Sequence, residues 1–102
     1  MRLQRSVEKR LSEVGDELSR LREGLRILDE QVAYQRWVAD QAGVRAVVSS
    51  TPLADRERRQ AAEDLRRLDR QRGEAAERIA ELIDEQDELL ERLLLRSPKG
   101  RA

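Results

Sequence analysis

The stretch VVSSTPLADRER, residues 47–58, stands between two long tracts of similar pattern and decides how the chain is organised. Thr51 is a good N-cap, because its hydroxyl can accept a hydrogen bond from a backbone N–H of the next helical turn. Pro52 suits the first helical position, where its missing N–H costs nothing and its fixed φ fits a helix. Asp55 adds negative charge near the positive end of the helix dipole. This stretch therefore predicts the start of a helix at Pro52.

On both sides of this stretch, apolar residues recur at alternating steps of four and three, which is the pattern of a coiled-coil seam. The first seam consists of Val7, Leu11, Val14, Leu18, Leu21, Leu25, Leu28 and Val32. The second runs through Ala61, Leu65, Leu68, Arg72, Ala75, Ile79, Leu82, Gln86, Leu89 and Leu93. Gly43 follows the first tract and is typical of a helix C-cap.

These signals predict an all-α fold, an antiparallel two-helix coiled-coil hairpin over residues 1–96. We expect helix 1 over residues 2–42, a tip loop over 43–51 and helix 2 over 52–95, with residues 97–102 as a disordered tail. Aromatic residues make up only 2% of the chain and charged residues 41%, so the narrow seam buries little by itself. We therefore expect the hairpin to dimerise into a four-helix assembly.

The charges beside the seam predict the register of the two helices. In an antiparallel pair the numbers of facing residues add to a constant, and the two seams allow 93 or 100. The value 100 brings like charges together, whereas 93 places opposite charges side by side and sets Gln35 opposite Arg58. We therefore predict 93, with the ion pairs Arg10–Glu85, Glu17–Arg78, Arg22–Asp69 and Arg36–Asp55.

The composition argues against catalysis. The chain has no cysteine and no histidine, so disulfides, thiolate metal sites and the commonest general base are missing. Ser49, Ser50 and Thr51 lack a neighbouring base that could activate a nucleophile. We expect no enzymatic activity, no cofactor and no metal site. The N-terminus lacks a signal-peptide pattern and no apolar window is long enough to span a membrane, so a cytoplasmic protein is expected.

One apolar group lies off the seam near the predicted tip. It consists of Ile27, Tyr34, Trp37 and Val38, followed by Val44, Val47 and Val48 in the predicted loop. Two interpretations stay open. Trp37 is either a lid that packs under the loop, or part of a patch that binds a partner protein, since exposed aromatic residues often anchor interfaces.

A second apolar group lies along one flank of helix 2. Ala76, Ile83, Leu90, Leu94 and Leu95 either widen the core near a fraying helix end or provide a surface for self-association. We expect the second of these, with a homodimer as the result.

The charge pattern disfavours nucleic acid as a partner. The net charge is zero, although residues 74–91 carry eight acids and one base, and residues 56–72 carry seven bases and four acids. Because acids interleave with the basic residues and no aromatic residue lies among them, the electrostatic signal for nucleic acid is weak.

The Arg/Glu/Leu heptads around SSTPLADRE make the chain similar to the short coiled-coil hairpin proteins of high-GC Gram-positive bacteria, which implies a hairpin fold and no particular activity. The outline also resembles the WxG-type secretion substrates, but Val38 and Ala39 follow Trp37 and the W-x-G turn is missing. Gre-type transcription factors share a coiled-coil finger with an acidic tip. Asp40 and Asp55 could form such a tip, although the globular domain of that family is missing.

The function we expect is a non-enzymatic scaffold or adaptor that presents its tip or its leucine-rich end to another protein. The alternative is a coiled-coil finger regulator that acts on RNA polymerase or the ribosome.

Overall fold

The computed structural model of the chain describes residues 2–96, which form two long helices. Helix α1 spans Arg2–Ser49, with 48 residues, and helix α2 spans Pro52–Arg96, with 45 residues. This confirms the all-α prediction for the described part of the chain, in which no helix has a stretch apolar and long enough to cross a membrane. The tail predicted at residues 97–102 lies outside the described residues.

Helix α2 begins as the sequence predicts. The backbone N–H of Ala54 donates to Oγ1 of Thr51 over 3.1 Å, which is the hydrogen bond of an N-cap. The N–H of Asp55 donates to the carbonyl of Thr51, also over 3.1 Å, and closes the first helical turn. Pro52 occupies the first helical position.

Helix α1 ends later than the sequence predicts, so the tip loop over residues 43–51 is wrong. Gly43 has no positive φ and lies inside the helix, which continues to Ser49. Ser50 takes the left-handed conformation instead, with a φ of 53°, and its N–H donates to the carbonyl of Ala46 over 3.0 Å. This is the αL C-cap that glycine usually provides. Only Ser50 and Thr51 connect the helices.

The chain divides into two compact units, each built from a segment of both helices. Unit 1 consists of the described residues of Met1–Glu23 and Ala76–Ala102, and unit 2 of Gly24–Ala75. Within each unit the interhelical hydrogen bonds join rising residue numbers on α1 to falling numbers on α2. The two segments of each unit are therefore antiparallel.

Unit 1 contains a hydrophobic cluster on its seam. Leu82 and Val14 are completely buried, with 0% of each exposed. Val7, Leu18 and Leu89 complete the buried cluster, and partly buried side chains pack against it: Leu11, Leu21, Ile79, Ile83 and Leu93. The seam predicted from the sequence is thus the core of this unit.

Two predicted ion pairs flank this cluster. Arg10 donates to Glu85, with Nη2 to Oε1 at 2.8 Å, and Arg78 Nε donates to Glu17 at 3.0 Å. The hydrogen bond from Arg10 is the main reason that the pKa of Glu85 lies below its ordinary value. Both ion pairs are among those that the predicted register of 93 contains, and both are confirmed. Their residue numbers sum to 95.

Unit 2 has a smaller buried core. Its buried apolar residues are Val32, Ala42, Ala54 and Ala61, three of them alanines. The leucines of its seam are only half-buried: Leu25, Leu28, Leu65 and Leu68. The seam here therefore removes less apolar surface from water than the seam of unit 1.

The predicted register is wrong in unit 2. Gln35 does not share a layer with Arg58; its Nε2 donates to the carbonyl of Ala61 over 3.1 Å. Arg72, placed on the seam by its heptad position, is exposed and pairs with Asp29.

The physical reason for this difference is the short connection. A register of 93 needs about nine residues in the tip, whereas the observed connection places Ser49 and Pro52 next to each other in the fold. Their numbers sum to 101. The predicted pair of Arg36 with Asp55 is also wrong, because Asp55 pairs with two arginines of its own helix, Arg58 and Arg59.

Candidate interaction surface

The outer face of α1 in unit 2 carries a stripe of exposed apolar side chains. Ile27, Tyr34, Trp37, Val44 and Val48 follow one another at steps of seven, three, seven and four residues, which keeps them on one side of a helix. The exposed fractions are 43% for Ile27, 66% for Tyr34, 57% for Trp37, 58% for Val44 and 79% for Val48. We call these five residues the α1 stripe. Val47 lies beside it and is 79% exposed.

The two aromatic rings of the stripe form its centre. The ring centroids of Tyr34 and Trp37 lie 6.1 Å apart with an angle of 31° between the planes. Because residues 43–49 are helical and Trp37 is 57% exposed, no loop covers the indole. The interpretation of Trp37 as a lid is wrong.

Val38 does not belong to the stripe, although the sequence groups it there. It is half-buried and lines a hollow of about 300 Å³ near the seam, together with Gln35, Ala42 and Ala61. Its position one residue after Trp37 turns its side chain about 100° around the helix. The exposed patch is therefore narrower than the one predicted from the sequence, because it does not include Val38.

Two open hollows adjoin the stripe. One, of about 420 Å³, is lined by Ile27, Tyr34 and Leu68 and by the polar residues Glu30, Gln31 and Gln35. The other, of about 630 Å³, lies near the connection and is lined mainly by Val44, Val47 and Val48, with Asp40 and Arg58 at its border. Both hollows offer apolar walls with a few polar groups beside them, a combination suited to side chains of a second protein.

Unit 1 presents the flank of α2 on which self-association was predicted. Ala76, Leu90, Leu94 and Leu95 are exposed, whereas Ile83 is half-buried and packs against the core cluster. For Ile83 the interpretation as a wider core is therefore correct. The other four residues remain accessible, and self-association through them stays a prediction.

Two features of the surface escaped the sequence interpretation. Val44, Val47 and Val48 were assigned to a loop, although they follow Trp37 by seven, ten and eleven residues, which are spacings of a continuing helix. Leu53 was not among the predicted surface residues, yet it is 61% exposed.

Two acidic residues near the connection, Asp55 and Asp40, differ in their surroundings. Asp55 accepts hydrogen bonds from Arg58, which lowers the pKa of the carboxyl group, and Arg59 adds to this effect. Asp40 is exposed. Of the two acids that a regulator with an acidic tip would use, one is thus already neutralised within its own helix. Among residues 2–96, no three potential metal ligands lie together.

Comparisons with known protein families, with curated proteins and with solved structures found no match to this chain.

Proposed function

We propose that this protein is a non-enzymatic interaction module that binds another protein through the α1 stripe. The observation that carries the proposal is the exposure of Trp37 and Tyr34 side by side on a helical face. Tryptophan and tyrosine are the residue types that most often dominate the energy of a protein interface. Two such rings without cover are costly to leave in water unless a partner buries them.

The spacing of the stripe supports an α-helix as the binding segment of the partner. The residues of the α1 stripe recur at steps of three, four and seven, which are the steps of a heptad seam. Such a seam packs against a second helix with the same repeat. The hollows on both sides of the stripe would accept side chains of that helix. We therefore propose an amphipathic helix as the ligand, docked along the outer face of α1.

The size of the stripe supports a reversible interaction. A typical aromatic side chain contributes about 150–250 Å² when fully buried. Since the two rings are already about two-fifths covered, the stripe contributes a few hundred Å², below the roughly 800 Å² per partner of a standard interface. A transient scaffold or adaptor contact in the cytoplasm fits this size better than a permanent complex.

The test begins with a photo-crosslinking amino acid at Val44, inside the stripe, and a matched one at Lys9, which is exposed on α1 in unit 1. The proposal expects one protein to crosslink at position 44 and not at position 9, and expects Trp37→Ala to abolish this adduct. Equal adducts at both positions, or an adduct that survives Trp37→Ala, would contradict it.

The purified partner then allows a direct measurement. Trp37 is the only tryptophan of the chain, so its fluorescence reports the environment of the stripe. Emission should shift to shorter wavelength when the partner binds, and a peptide of the partner's amphipathic helix should reproduce the shift. Binding without any change of emission would place the contact elsewhere.

A further inference from the structure

The outer face of α2 is charged, and the two halves of this face carry opposite charge. In unit 2 it presents mainly basic residues: Arg56, Arg59, Arg66, Arg67 and Arg70. In unit 1 it presents acidic residues: Glu77, Glu81, Asp84, Asp87, Glu88 and Glu91. All eleven side chains are exposed. The acidic segment of one molecule is therefore complementary to the basic segment of another.

We propose that the outer face of α2 binds the same face of a second copy of this chain. The two helices run antiparallel, and a two-fold axis passes beside Gly73 of both copies. The basic segment of each copy then contacts the acidic segment of the other, as a self-complementary interface requires. This inference goes beyond the proposed function, because it uses the opposite helix from the α1 stripe.

The register of this contact follows from the sequence. With the axis at Gly73, the numbers of facing residues sum to 147 along the middle of the face, to 146 on one side and to 148 on the other. Four kinds of opposite-charge pair result, and each is made twice by symmetry: Arg56–Glu91, Arg70–Glu77, Arg59–Asp87 and Arg67–Glu81. Two kinds of like-charge pair oppose them, Glu63–Asp84 and Glu74–Glu74.

Neighbouring registers are less favourable. A displacement by one heptad in one direction gives three attractive and three repulsive kinds of pair, and in the other direction two of each. Because a residue that meets its own copy makes one pair and every other kind makes two, the register centred on Gly73 has the largest excess, with eight attractive pairs against three repulsive ones. Since like charges in contact disfavour a wrong alignment, the charge pattern selects this register and gives it specificity.

The uncharged residues of the face fit the same register. Leu53, which is 61% exposed, meets Leu95 of the second copy, which is 58% exposed. Pro52 meets Leu94, which is 61% exposed. These contacts cover apolar side chains at both ends of the face. At the centre, Gly73 meets Gly73 of the second copy, and the missing Cβ atoms let the two backbones approach closely.

The residues along the middle of the face are free to make these contacts. Arg56, Arg70, Glu77 and Glu91 form no ion pair among residues 2–96. At the sides, Arg59 pairs with Asp55, Arg67 with Asp64 and Glu81 with Arg78, at 3.2–3.3 Å. These are exposed pairs within one helix, and such pairs are weak enough to be shared with a second copy.

A dimer of this kind is sensitive to salt. The contacts are exposed charges, whose attraction is screened within about 10 Å at 0.1 M ionic strength and within about 3 Å at 1 M. We expect the dissociation constant measured by sedimentation to rise by about tenfold or more over this range. A dimer through the apolar flank of α2 would instead be unaffected or strengthened by salt, and that result would overturn the proposal.

The decisive experiment is a charge exchange along the middle of the face. One variant carries Arg56→Glu with Arg70→Glu, and the other carries Glu77→Arg with Glu91→Arg. Each variant alone places like charges opposite each other, whereas in a heterodimer of the two every one of these pairs again joins opposite charges. We expect wild type to form a dimer at low salt, each variant to stay monomeric and the mixture to form a heterodimer.

A matched control makes the same change of charge on the other helix. Lys9→Glu with Arg20→Glu alters exposed residues of α1, and this variant should dimerise as wild type does. Circular dichroism checks that all variants keep their helices. A monomeric wild type, variants that dimerise like wild type, or a mixture that forms no heterodimer would each overturn the proposal.

Discussion

The two units differ in how much of their apolar surface they bury. Unit 1 directs them to the seam, where Leu82 and Val14 are fully buried and two interhelical ion pairs lie alongside. Unit 2 buries mainly alanines and exposes more of its larger apolar residues than unit 1 does, including both aromatic residues of the chain. The comparison teaches that the same helical repeat can stabilise a hairpin or prepare it for a partner, depending on which face holds the apolar residues.

The physical basis of this contrast is the free energy of burial. A buried leucine or valine contributes about 1.5–3 kcal/mol relative to an exposed one. A side chain on the outer face contributes almost nothing to the isolated hairpin, but yields that free energy when a second protein covers it. Unit 2 thus gains less folding stability from burial than unit 1 does. The free energy of burying its exposed side chains can instead stabilise a complex with a partner.

The largest effect is expected from shortening a core residue of unit 1. Leu82→Ala removes a completely buried side chain at the centre of the cluster, which should lower the free energy of unfolding by about 2–5 kcal/mol. Urea denaturation measures this value. Val32→Ala, in the smaller core of unit 2, should cost less, roughly 1–2 kcal/mol.

The matched control for this pair is Trp37→Ala, which removes a larger side chain from the surface. We expect it to change the free energy of unfolding by no more than about 0.5 kcal/mol, because the indole is mostly exposed. If Trp37→Ala destabilised the hairpin as strongly as Leu82→Ala, the contrast between the units would be lost.

A smaller effect is expected where helix α1 ends. Gly43 has an ordinary helical conformation and open space where a Cβ would lie, so Gly43→Ala should stabilise the protein by about 1 kcal/mol. Ser50 has a φ of 53°, a conformation that costs a residue with a side chain roughly 1–2 kcal/mol. Ser50→Gly should therefore also stabilise the protein.

Ser49→Gly is the control for Ser50→Gly, because Ser49 is still helical and gains nothing from the freedom of glycine. Thermal unfolding should show higher melting temperatures for Gly43→Ala and Ser50→Gly and a lower one for Ser49→Gly. A rise for all three would mean that the connection is not held as the hydrogen bonds of Ser50 indicate.

The sequence predicted those features that depend on local chemistry. The start of α2 was predictable because Thr51 and Pro52 act within one turn, and the seam of unit 1 because its repeat is uninterrupted. The end of α1 was not predictable, since a glycine inside a helix and one at its C-cap look alike until their φ is known. That misplacement put Val44 and Val48 in a loop instead of in the stripe, and it left room for a nine-residue tip that the observed two-residue connection does not have.

The candidate surface was predicted in composition but not in shape. Tyr34 and Trp37 were identified from their positions off the seam, and their exposure confirms that they are uncovered. The continuous stripe depends on the seven residues by which α1 exceeds its predicted length. The acidic and basic blocks of α2 are visible in the sequence, but which of their side chains lie exposed on one outer face is known only from the structure.

The smallest effect is expected from acid, and it distinguishes the ion pairs of the two units. Glu85 in unit 1 has a pKa below its ordinary value of 4.5, mainly because of the hydrogen bond from Arg10. A carboxyl group with a lowered pKa in the folded state stabilises the fold above its ordinary pKa, and this contribution is lost as the pH falls through the lower value. Glu85→Gln should therefore melt at a slightly lower temperature than wild type at neutral pH, and the difference should disappear as the pH falls through the lowered pKa of Glu85. Asp55 in unit 2 also has a lowered pKa, but its partners Arg58 and Arg59 belong to the same helix, so Asp55→Asn breaks no interhelical contact. Melting curves of both variants across the acid range should show the larger pH-dependent difference for Glu85→Gln, and a larger one for Asp55→Asn would mean that the charges at the connection hold the hairpin together more than those of unit 1.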